Sequence, residues 1–181
     1  MRDDVKELAD STAVAEVEEK LGLSRTRDLA GAWWWLASAI AVGFSLFQLY
    51  TSAFGVLLAY QQRLVHLGLA MCLAFLLYPA RRGRASHSVD ALDAALAAAV
   101  LDVLAYVLHD FRAFAFRAGS PSAADLVVGL VFLLMVLELT RRVVGSPMVI
   151  IAAVFLVYAL VGRSMPALVA HRGVTLSRLV D

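Results

Sequence analysis

The chain has 181 residues, 61% of them hydrophobic and 17% charged, with a mean hydropathy of +0.78. A soluble domain of this size does not carry so much apolar surface. The net charge of +1 signals no general attraction to nucleic acid, and the single cysteine, Cys72, excludes a disulfide framework and a cysteine-pair metal site.

Residues 1–30 are polar and acid-rich. Val5, Leu8, Ala15 and Leu21 fall near helical spacing, which predicts a short amphipathic surface helix with Gly22 placed to end it. The first apolar run begins near Ala32, after a charged stretch too long for a signal-peptide n-region. A first span is predicted over about 33–54, opened by three tryptophans that suit the bilayer interface. Gln48 is its one strongly polar member and predicts an interhelical hydrogen bond or an interfacial position.

A second span is predicted over about 64–78, stopping at Pro79, with His66 near its other end. Arg81, Arg82 and Arg84 follow at once and form the densest positive loop. The third span covers about 89–108. Asp90 and Asp93 occupy its first turns, where carboxylates complement the helix dipole. Asp102 lies deep in that span and is a functional candidate, since an acid there should face protein or water. A structural polar contact is expected for it, with His66 or Arg63 as the partner inside the chain and a group on another membrane subunit as the rival. Six alanines between 91 and 99 permit close helix packing.

Residues 111–125 mix phenylalanine, arginine and turn formers, which suits an interfacial connection, and Asp125 is placed to cap the next helix. A fourth span covers 126–139 and extends toward 144. A fifth covers about 147–160, and a polar tail follows. Between these two spans stand Glu138, Arg141 and Arg142, then Gly145 and Pro147. Glu138 precedes the arginines by three and four residues, the favourable order for pairing along one helix face. The expected arrangement is a paired interfacial cluster whose arginines snorkel to headgroups, or a docking point for another subunit.

The Arg81–Arg84 cluster places the N-terminus in the cytoplasm and the C-terminal tail outside. The expected fold is therefore all-α: an integral membrane bundle of about five transmembrane helices preceded by a short amphipathic helix. Its parts are an N-terminal cytoplasmic segment, 1–30, a four-helix scaffold, 31–145, and a fifth helix with its tail, 146–181.

Several ordered runs resemble a known family. Phe44-Ser45-Leu46-Phe47-Gln48-Leu49-Tyr50 and Leu76-Leu77-Tyr78-Pro79-Ala80-Arg81-Arg82 are similar to the N-terminal part of fused permeases of TRAP transporters, TAXI type. So are Arg117-Ala118-Gly119-Ser120-Pro121, the run 137–145 around Glu138, and the run 171–180. The resemblance implies a small membrane scaffold beside a large permease, which holds the sodium and substrate sites. It also implies a periplasmic binding protein delivering organic-acid-type solutes, and a bacterial inner-membrane location. The fused family continues into that permease portion, whereas this sequence ends at Asp181. The expectation is a separate small subunit or a piece of a longer protein.

Two other classes are weighed against this one. An intramembrane enzyme needs a nucleophile with a base, or clustered metal ligands, on facing helices. The four histidines lie in separate segments and no HExxH or GxSG-type setting occurs. No catalytic, cofactor-binding or metal-ligating residue is therefore assigned, and no cofactor is expected. The third class is a membrane anchor for another complex, using the acidic N-terminal helix as its contact. The residues singled out as interface or structural polar groups are Gln48, His66, Asp102, Glu138, Arg141 and Arg142.

Overall fold

The computed structural model describes residues 26–55, 57–80, 87–162, 165, 171–175 and 178–179. The expected amphipathic helix within 1–25 and the Arg81–Arg84 cluster lie outside these residues. Among the described residues six helices follow one another: α1 (Ala32–Phe54), α2 (Ala59–Leu77), α3 (Ala91–His109), α4 (Phe111–Phe116), α5 (Ala123–Val143) and α6 (Ser146–Val161).

Their ends have local causes. α1 closes on Gly55, whose φ of 57° is left-handed and whose N–H reaches the Thr51 carbonyl at 2.9 Å. α2 stops at Tyr78, held extended by the following Pro79. α5 opens with a capping box. The Ser122 hydroxyl accepts the Asp125 N–H, and the Asp125 carboxylate accepts the Ser122 N–H. α6 opens with Pro147 after Gly145, which adopts φ 121°.

Among the described residues, three helices are long and apolar enough to cross a membrane: α1, α3 and α5. α2 has the length but starts with Gln61, Gln62, Arg63 and His66 in its outer turns. α6 has 16 residues, about 24 Å at 1.5 Å per residue, short of the ~30 Å hydrocarbon thickness. The connection predicted over 111–125 contains the short helix α4.

The core lies between α2, α3 and α5. Met71, Cys72, Phe75 and Leu76 of α2 meet Ala97, Val100 and Val103 of α3 and Met135 of α5. α2 and α3 run antiparallel: Gly68 faces Leu104, and eight residues on, Leu76 lies beside the N-terminal end of α3. A Cβ added at Gly68 would sit 3.3 Å from a Leu104 methyl, so the missing side chain sets how closely the helices approach. In lipid such packing, rather than exclusion of water, holds helices together. α6 has no buried residue and packs on α5.

Candidate functional site

Residues 26–30 lead from the N-terminal segment into the bundle. The Arg27 N–H donates to the Leu77 carbonyl at 2.7 Å, and the Ala30 N–H to the His87 carbonyl at 3.0 Å. His87 Nδ1 returns a bond to the Asp28 carbonyl at 2.9 Å. These bonds thread Arg27 inward, where its side chain is fully buried. It donates from Nη1 to the Leu76 carbonyl at 3.0 Å. Two carbonyls that the last turn of α2 cannot pair internally are thus satisfied by one arginine.

Asp93, one turn into α3, is 0% exposed. Arg27 Nη2 donates to its Oδ2 at 2.7 Å, and Arg142 Nη1 to its Oδ1 at 2.7 Å. One carboxylate therefore joins the entry segment, the start of α3 and the end of α5. Arg142 also donates to the Tyr78 carbonyl at 3.0 Å, and its guanidinium carbon lies 5.0 Å from the Phe75 ring centroid. Glu138 accepts from Arg142 Nε at 2.8 Å and from Arg141 Nε and Nη2, both at 2.8 Å. Arg141 reaches on to the Ala80 carbonyl at 3.2 Å. Asp90 stands 3.9 Å from Arg27. Three guanidiniums face three carboxylates, so the knot is formally neutral.

This arrangement corrects the snorkelling expectation for Arg142. Its side chain is 1% exposed and turned inward, while Arg141, 42% exposed, lies at the rim. Both spacings from Glu138, three residues to Arg141 and four to Arg142, are used. Asp93 does more than face a helix dipole: it is the counter-ion of two buried arginines. Arg27 Nε and Arg142 Nη2 are buried without a hydrogen-bond partner among the described residues. Burial of such a knot is costly, and its charges hold helix ends in one register instead of adding much net stability.

A second polar node closes the opposite end. Asp125 takes two bonds from Arg117, at 2.9 and 3.0 Å, and one from the Tyr106 hydroxyl at 2.8 Å. It joins the end of α3, the connection after α4 and the start of α5. Hydrogen bonding to Asp125 raises the Arg117 guanidinium above its ordinary range.

Between the nodes, Gln48 of α1 hydrogen-bonds the His66 ring of α2, the first of the two arrangements expected for it. Phe44 packs edge-on against the same ring, its centroid 5.0 Å away. A parallel rung joins Gln62 Nε2 to Thr51 Oγ1 at 3.1 Å.

Asp102 does not find the partner expected for it inside the chain. It is exposed and makes no hydrogen bond or ion pair among the described residues, so the contact with His66 or Arg63 does not form. Helix geometry explains the difference between the two aspartates of α3. Nine residues at about 100° each turn Asp102 about 180° from Asp93. Once Asp93 points into the bundle, Asp102 must point out.

Sequence reading missed Arg27 and the inward role of Asp93. The available signal was a basic residue before span one and an acid at the start of span three, but their pairing spans 66 residues. Among the described residues no group of three or more histidine, cysteine or acidic side chains is placed to hold a metal. A scan of protein-family models, a search of curated proteins and a search of solved structures each return no match.

Proposed function

We propose that this chain is the small membrane scaffold of a TRAP-type secondary transporter. In this reading it supports a large permease that takes up organic-acid-type solutes with a periplasmic binding protein. α2, and α6 as a short span that thins the bilayer around it, cross the bacterial inner membrane along with α1, α3 and α5, giving five spans with a cytoplasmic N-terminus. The ordered runs from Phe44 to Arg178 that resemble fused permeases supply the family.

The observation that carries the reading is α6. It is uncharged from Ser146 to Val161, has no buried residue and packs on α5 alone among the helices it touches extensively. Ile150, Ile151, Val154, Phe155 and Val157 are each more than half exposed. In the resembling family this position belongs to the helix that connects the four-helix part to the permease. The charge knot supports a scaffold role as well, because its side chains lock helix ends together.

The experiment is purification of the tagged chain from its native membrane, with identification of co-purifying proteins, followed by reconstitution. A large permease in the complex and no uptake by the chain alone are expected. Solute uptake by the lone chain, or a partner set lacking a permease, overturns the assignment.

A further inference from the structure

We propose that the Asp102 face of α3 docks a transmembrane helix of a partner subunit that presents an arginine or lysine to the Asp102 carboxylate. Asp102 lies seven residues, about 10 Å, from the His109 end of α3 and eleven residues, about 16 Å, from Ala91. That depth is hydrocarbon in a helix of this length. An aspartate has one methylene and does not reach headgroups from there, unlike a long arginine. A charged carboxylate facing lipid at this depth is costly: it takes up a proton or meets a polar or cationic group on a neighbouring helix, and only a cation there keeps it charged.

The chain itself offers no such neighbour among the described residues. His66 is engaged by Gln48, and Tyr106, one turn away, gives its hydroxyl to Asp125. Arg63 makes no hydrogen bond or ion pair with Asp102. A second copy does not resolve the charge either. Two copies related by a two-fold axis along the membrane normal would bring Asp102 against Asp102, like charge on like. The occupant is therefore a different helix carrying a cation.

The surroundings of the carboxylate suit such a helix. Ala91, Ala95, Ala98 and Ala105 are all exposed on the stripe that contains Asp102. Side chains this small let a second backbone approach closely enough for a salt bridge to form. The proposal shares with the scaffold reading only the premise that a second membrane protein accompanies this chain.

The test uses the full chain, expressed in its native membrane with its partners. A photo-crosslinking residue is placed at Ala98 or Ala105, with Leu134 of α5 as a control position. Crosslinked peptides are sequenced by mass spectrometry. The expected product joins α3 to a partner helix with an arginine or lysine at the depth of Asp102. Asp102→Leu should lower recovery of the complex on the order of tenfold, as for loss of a strong interhelical polar contact. Because Asp102 is exposed, the variant chain should insert and melt like the parent. Asp102→Lys should also lose the complex, and exchange of the partner's basic residue for aspartate should restore it. Crosslinks only to lipid or to another copy, or to a helix without a basic residue, refute the proposal. So does an Asp102→Leu complex recovered at the parent level. A crosslinked basic helix from a protein other than a permease would sustain this inference and remove the transporter reading. A permease that co-purifies with the chain while Ala98 and Ala105 crosslink only to lipid would do the reverse.

Discussion

Replacing Arg142 by alanine separates the two meanings a charged pair near a membrane edge can have. If Arg142 only reached headgroups, its loss would cost a few tenths of a kcal/mol, roughly 0.2–0.5 for its helix pairing with Glu138. In the structure its side chain is 1% exposed and holds Asp93, Glu138 and the Tyr78 carbonyl at 2.7, 2.8 and 3.0 Å. Removing one partner of a buried pair costs about 3–5 kcal/mol, because the other charge is left uncompensated. Here Arg27 still neutralises Asp93 from the other oxygen, so the lower end applies, about 3 kcal/mol, or roughly a hundredfold in the unfolding equilibrium. Asp93→Ala should cost more, about 5 kcal/mol, since it leaves two buried guanidiniums beside each other. Arg141→Ala should cost roughly 0.5 kcal/mol or less, given its exposed position. The assay is unfolding of the purified chain in mixed micelles, followed through the fluorescence of Trp33, Trp34 and Trp35. Equal, small effects of Arg142→Ala and Arg141→Ala would refute the buried-knot argument. Sequence spacing alone points Arg142 toward headgroups or a partner; the inward side chain moves its loss onto the stability of the chain itself.

Other outcomes follow from the same geometry. Ser122→Ala removes the hydroxyl that caps α5 and should cost about 1 kcal/mol in the same unfolding assay. Gly68→Val places a branched side chain against Leu104, where a Cβ alone would already sit 3.3 Å from a methyl group. It should cost about 1–3 kcal/mol by overpacking α2 on α3. Gln48→Leu removes a single interhelical hydrogen bond and should cost only about 0.6 kcal/mol, with helix content unchanged by circular dichroism. Cysteines introduced at Ser86 and Ser122 should label from opposite faces of the membrane, cytoplasmic and periplasmic respectively. Buried Cys72 keeps the background low, and labelling from one face would reject the topology.

What could be read from the sequence alone was local. Apolar runs located the five long helices to within about five residues, because a backbone in lipid must satisfy its own hydrogen bonds, while the short α4 was read as part of a connection. The place of Asp125 at the start of α5 and the pairing of Glu138 with Arg141 and Arg142 were legible, since helix geometry alone brings residues three and four apart together; Ser122 as the N-cap was not. The Gln48 bond to α2 was legible as a need, because a polar amide inside a span seeks a partner. The rotation of α3 about its axis was not. Its alanine-rich surface is apolar all round, and Asp93 and Asp102 sit about 180° apart, so the sequence contains two opposite acidic faces with little to choose between them. Tertiary structure made the choice by bringing Arg27 and Arg142, 66 and 49 residues distant, to the end of the helix where Asp93 lies. Two buried cations demand a buried anion, which turns Asp93 inward and leaves Asp102 on the outer surface.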